Sequence, residues 1–184
     1  MDKLKKNNAG MSLVELIVTV AIASILVGTL SFSISLVFSK DAARCATILN
    51  DTLYSVRMDS MSKPGNYTVE IKDNNAGGTP SEYVAIVTCE IDGNPVLDEG
   101  KTIYLEGNPG ENKVKTITAT LNGVDLPNNL KITFDKSKGY VNVGAGTDFS
   151  ADGIVEFHIM PARGEKDAYV SLVTSTGKHT VGTY

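Results

Sequence analysis

The carboxylate of Glu15 stands where a charge is expensive. It follows Gly10-Met11-Ser12-Leu13-Val14 and precedes 23 uncharged residues, Leu16 to Phe38. As a helix rising about 1.5 Å per residue, that run covers roughly 35 Å, the depth of a bilayer core. An ionised carboxylate costs about 2.5–3.5 kcal/mol at the bilayer centre and somewhat less near the interface, so Glu15 calls for a partner. Cutting the chain after Gly10 creates one. The new amine on Met11 would share the apolar surroundings of Glu15, on the same chain or a neighbouring one, and opposite charges in a low dielectric attract strongly. A cut between Gly10 and Met11 would thus allow an acid–amine contact through Glu15.

Other reactive side chains are few. Ile86-Val87-Thr88-Cys89 puts a thiol at the end of a strand-like pattern, which on an exported β domain is similar to a sortase. A cysteine nucleophile needs a base and an oxyanion partner. Sortases carry their His upstream of the Cys, whereas His158 and His179 both follow Cys89, and Cys89 reads as a small apolar core residue. Cys45 and Cys89 are also candidates for a disulfide, because an exported domain permits one and both are expected to face one core; two buried free thiols are the alternative. Sequence does not contain the Cα separation that decides between them. No metal site is expected: Asp92-Gly93-Asn94, Asp98-Glu99 and the pair Asp148 and Asp152 lack the spacing of a twelve-residue calcium loop and read as solvated turns. His158 lies inside a strand pattern and reads as structural. No cofactor is implied, and no enzymatic activity.

Charge fixes the sidedness. Lys3, Lys5 and Lys6 precede the apolar run, so the basic head stays cytoplasmic and everything after Phe38 is exported. Residues 41–184 carry 13 Lys and Arg against 19 Asp and Glu, a net of −6. A uniformly basic groove for nucleic acid is not expected on that balance, although a small local patch is compatible with it. These 144 residues are enough to bury one core without metals or several disulfides.

The elements that must position the site are a helix and a run of strands. Ala42, Cys45, Ala46, Leu49, Leu53 and Val56 recur at steps of three and four, with Asp41, Arg44, Asn50, Asp51, Arg57 and Asp59 on the other faces. The spacing predicts one continuous helix from about Ser12 to Met61, stopped by Pro64-Gly65. Thereafter the period changes to two. Strands are predicted at 67–71, 83–91, 102–105, 114–121, 130–134, 140–143, 154–159 and 169–173, with a last short one at 178–181. The class is α+β: a long N-terminal helix, transmembrane in its first half, on a mostly antiparallel β domain of about eight strands. The expected organisation is a cleaved basic leader at 1–10, a transmembrane helix at 11–39, an amphipathic continuation at 40–63 and an extracytoplasmic β domain at 64–184.

A short Lys-bearing leader, Gly10, an apolar residue after it, Glu15 at the fifth position past the cut and the uncharged run together resemble the signal of type IV pilins and type II secretion pseudopilins. The resemblance implies cleavage between Gly10 and Met11 by a prepilin peptidase and N-methylation at Met11. It also implies a filament in which Glu15 meets the amine of an adjacent subunit. The partners it implies are other pilin subunits, the peptidase, an inner-membrane assembly platform and, for the precursor, the membrane itself. The expected course is a single-pass cytoplasmic-membrane precursor that becomes part of a surface filament. Many major pilins have a proline about twenty residues into the mature helix, where this chain reads Gly28-Thr29-Leu30-Ser31. The C-terminal part, from the strand through Phe157 past Pro161 and Gly164 to Tyr169-Val170-Ser171-Leu172 and the Ser175-Thr176-Gly177-Lys178 hairpin, resembles the H-type minor pseudopilins and their minor-pilin relatives. Those have two sheets packed on the helix. DNA binding, known for some minor pilins with basic C-terminal ends, is not carried over, since only Lys178 and His179 stand there. A minor pilin or pseudopilin is therefore expected; a major pilin, or a signal-anchored binding or sortase-like domain, are the alternatives.

Overall fold

A computed structural model describes residues 12–38, 40–75, 81–91, 93–96, 100–144, 146–163 and 166–184, with side chains between 29 and 38 excepted. The chain divides into two compact units between Val37 and Phe38. In the first, helix α1 runs Leu13–Phe38. Ser12 caps it: the Glu15 N–H donates to Ser12 Oγ at 3.3 Å and the Leu16 N–H to the Ser12 carbonyl at 3.1 Å. This is the Ser-x-x-Glu spacing of a capping box, which satisfies N–H groups that a helix start leaves orphaned. The hydroxyls of Thr19 and Ser24 return to the carbonyls of Leu16 and Val20 at 2.9 and 2.8 Å, so the polar side chains of the apolar helix are satisfied within it. Every described side chain of α1 is exposed. Among the described residues no helix is long and apolar enough to cross a membrane.

The expected single helix is described as two. Helix α2 runs Asp41–Ser62, and Ser39 lies outside the described residues. Lys40 flanks α2 in a helical conformation without a side-chain cap, its carbonyl accepting the Arg44 N–H at 2.9 Å. Helix α2 therefore starts without the Ser, Thr, Asp or Asn cap that a helix N-terminus favours. The far end is as predicted. Lys63 is extended, as the residue before a proline must be, and α2 stops at Ser62. The predicted apolar stripe is buried throughout, joined by Thr52 and Ser60, whose hydroxyls donate to the carbonyls of Ile48 and Val56 at 2.7 and 2.9 Å.

Among the described residues ten strands follow: β1 Asn66–Asp73, β2 Tyr83–Ile91, β3 Asn94–Pro95, β4 Lys101–Tyr104, β5 Val114–Leu121, β6 Val124–Asp125, β7 Leu130–Thr133, β8 Ile154–Pro161, β9 Ala168–Val173 and β10 Lys178–Thr183. They form two antiparallel sheets. In the first, β1 lies between β2 and β7, and both β3 and β4 pair with the outer side of β2; the second has the order β10-β9-β8-β5-β6. Alternation is clean in β8, where Val155, Phe157 and Ile159 are buried between less buried neighbours. Helix α2 packs on β1 of one sheet and on β8, β9 and β10 of the other. Leu49, Leu53 and Val56 thereby share one core with Val69, Ile132, Phe134, Phe157 and Leu172.

Two differences from the predicted strands have local causes. Residues 140–143 make only an isolated bridge, Phe134 to Val141. The Asp135 carboxylate holds a turn by accepting the N–H groups of Ser137 and Lys138, both at 2.9 Å, and the Val141 N–H goes to Thr174 O at 2.9 Å instead of to a neighbouring strand. The two-residue strands β3 and β6 were not predicted, since they are too short to show a period.

Candidate processing and assembly site

Gly10 and Met11 lie outside the described residues. Glu15 sits in the first turn of α1, exposed. A helix start carries about half a positive charge, worth roughly 0.3–1 kcal/mol to a nearby carboxylate. The same field is unfavourable to an amine created two residues before Leu13, which strengthens that amine's need for a carboxylate. Sequence reasoning overlooked Ser12 as the residue that holds the Glu15 backbone, although the Ser-x-x-Glu spacing was there to be read.

The two cysteines are free thiols, both buried. They do not share one site. Cys45 belongs to the core on the second turn of α2, where burial foremost, and the Glu106 carboxylate second, push its thiol well above the ordinary range. The Cys89 sulfur is 4.0 Å from the Pro64 carbonyl, past the other end of α2. At about 1.5 Å per residue, the stretch of α2 between them puts the thiols some 25 Å apart, far beyond the 4.4–6.8 Å Cα separation of a disulfide. The expectation that both face one core is corrected by this separation. Neither thiol resembles a nucleophile: a reactive cysteine is partly exposed and electropositive in its surroundings. His158 pairs with Asp167 at 2.9 Å, and the His179 ring stands against Tyr54. Among the described residues no group of His, Cys, Asp or Glu could hold a metal ion.

One buried acid gave no signal in the sequence. Glu106, only 5% exposed, accepts the Lys113 N–H through Oε2 at 2.9 Å, while its Oε1 has no partner. Burial raises its carboxyl above the usual range, against the hydrogen bonds from the backbone of Lys113, Val114 and Asn112. A raised carboxyl stabilises the fold fully below its unfolded value, and that contribution is lost as pH rises through the folded one. Glu106→Gln removes the charge but keeps an acceptor for Lys113. The melting temperature of the variant minus that of the wild type is therefore expected to be larger at pH 7.5 than at pH 4 in detergent-solubilised full chain. A difference that does not change with pH would show that Glu106 does not titrate in this window.

Comparison with known proteins finds the prokaryotic N-terminal methylation motif at residues 5–31. No curated protein and no solved structure matches the chain. The matched segment contains Gly10, Met11, Ser12 and Glu15 and reaches into α1. A signal of this type implies processing by a prepilin peptidase and assembly with other pilins. The chain thus carries the prepilin-type signal of the type IV pilin and pseudopilin precursors.

Proposed function

We propose that this chain is a minor pilin or pseudopilin, a structural subunit of a type IV pilus or related secretion filament. The observation that carries the reading is the methylation motif at 5–31 running directly into α1, whose described side chains are exposed and, apart from Glu15, Thr19 and Ser24, apolar. The uncharged run from Leu16 to Phe38 anchors the precursor in the cytoplasmic membrane, with residues 1–10 inside as a leader and the β domain outside. A prepilin peptidase cuts between Gly10 and Met11, and Met11 is N-methylated. The subunit then leaves the membrane for the filament as its α1 packs among the α1 helices of its neighbours, with Glu15 paired to a neighbour's Met11 amine. Two antiparallel sheets packed on α2, and the absence of proline from α1, support the minor role over the major one.

The test is the N-terminal residue and mass of the protein isolated from its cells. The wild type is expected to begin at methylated Met11, about 1 kDa lighter than the full chain. Gly10→Ala is expected to stay uncut in the membrane, since the peptidase reads the residue before the bond. A wild type that begins at Met1 would leave the exported β domain as the seat of function.

A further inference from the structure

The two sheets have four outer edges, and an unpaired edge is a template for another chain unless something blocks it. Three are blocked. The outer side of β7 is occupied, with the Asn142 N–H donating to Thr133 O at 2.8 Å and the Lys131 N–H to Asp148 Oδ2 at 2.7 Å. The opposite edge of that sheet is broken into β3 and β4, of two and four residues, and β3 ends in Pro95. β5 is covered by β6 at Thr120 and Leu121 and irregular between Val114 and Thr116. β10 carries none of these devices. It is six residues long, without proline or acid, and among the described residues no strand lies outside it.

The free backbone groups of β10 can be assigned. The Tyr184 N–H donates to Asp167 O at 3.1 Å, in register with the β9–β10 ladder. Hydrogen-bonded positions alternate in an antiparallel pair, so Thr180 and Gly182 turn their backbone groups to β9, and His179, Val181 and Thr183 turn theirs outward. The side chains beside this edge are also incompletely covered. His179 and Val181 stand opposite buried Leu172 and Val170 and thus face the side of the sheet that α2 occupies. The Tyr54 ring lies 6.0 Å from the His179 ring, yet Tyr54 remains 54% and Val181 41% exposed. The other face of the strand carries Lys178 and Thr180. The sheet has the form of one that lacks its last strand.

We propose that β10 takes, by main-chain pairing along its free edge, an extended segment of a different subunit of the same filament. That segment carries apolar side chains at alternate positions, to cover Val181 and Tyr54, and polar ones between them. The proposal rests on the filament reading for the identity of the donor. The β10 strand of a second copy fits poorly. Pairing two β10 strands antiparallel points the Lys40 ends of the two α2 helices, to which the anchors are joined, in opposite directions. Pairing them parallel about a two-fold axis turns the partner's Thr180 face toward Tyr54.

Because the Val181 N–H points outward, Val181→Pro removes a free donor without breaking the ladder to β9, and Val181→Thr keeps it. Both are made in the full chain in its own cells, and a benzoylphenylalanine crosslinker replaces Thr183 in parallel. Val181→Pro is expected to be cut after Gly10 like the wild type but to fall more than tenfold in sheared filaments, with Val181→Thr within twofold of wild type. Light is expected to join position 183 to an extended, alternating segment of another filament subunit. Val181→Pro entering filaments at the wild-type level overturns the proposal, as does a crosslink to a second copy of this chain or to no protein. The crosslink decides alone if Val181→Pro lowers the amount of chain in the cell. A wild type left uncut at Gly10 is a different result, which overturns the filament reading itself.

Discussion

Glu15→Ala is expected to be cut after Gly10 as efficiently as the wild type and yet to be reduced at least tenfold in sheared filaments. The two effects separate because they use different parts of one short segment. The cut is read from Gly10 and the leader. Assembly needs a subunit to leave lipid, and the carboxylate acts on that step twice. While Glu15 is in the membrane, its charge costs up to about 2.5–3.5 kcal/mol, which makes the precursor's resting place less favourable. Once it meets a neighbour's Met11 amine, at the positive end of an α1 helix, that cost is offset by an ion pair in a low dielectric. Alanine removes both, leaving a fully apolar helix more at home in lipid than in a filament. Glu15→Gln distinguishes charge from shape: it keeps the size, lacks the charge and is expected to behave like alanine. Wild-type filament levels for Glu15→Gln would rule out the ion pair.

Gly177→Ala is expected to be the most destabilising single-atom change in the β domain, by about 2–5 kcal/mol. Gly177 has φ +63, in the left-handed region that costs an L side chain roughly 1–2 kcal/mol, and a Cβ there would run into the carbonyl oxygen of Gly139. Neither side can yield easily. Gly139 O accepts Arg57 Nε at 2.8 Å and Thr176 O accepts Arg57 Nη2 at 3.0 Å, so one guanidinium on α2 holds the two loops together. Overpacking of that kind adds about 1–3 kcal/mol. Gly110 is the control: it has φ +75 and nothing within 4 Å of its missing Cβ, so Gly110→Ala should lose only the conformational part. At roughly 2–4 °C per kcal/mol for a chain of this size, Gly177→Ala should melt about 5–15 °C below wild type in detergent, and Gly110→Ala by a few degrees. Equal losses at the two positions would mean the contact with Gly139 carries no energy.

The N-terminal signal was legible because its information is one-dimensional. Gly10, Glu15 and the uncharged run matter by spacing along the chain, and the methylation motif matches over that stretch. The stripe of α2 and most strands were legible for a similar reason: burial of one face imposes a period of 3.6 or 2 on neighbouring residues. The boundary at Ser39-Lys40 was less so, since propensity there changes by tenths of a kcal/mol per residue.

What only the tertiary structure decided depends on residues far apart in sequence. Which strands pair, and hence that β10 is left with an open edge, is set by the meeting of segments whose own patterns are alike. Residues 140–143 have a strand-like composition, but only Tyr140 O and the Asn142 N–H pair with residues 133–135, while the Val141 N–H goes to the Thr174 carbonyl. Glu106 reads as a surface acid until Lys113 and α2 close over it, and Cys45 and Cys89 read as neighbours until the length of α2 is laid between them. A sequence by itself determines which short signals it carries, where the period changes and which faces are apolar, because those follow from local chemistry. Which groups end up buried together, unpaired or on an edge follows from packing, whose energy belongs to pairs of distant residues and has no period to read.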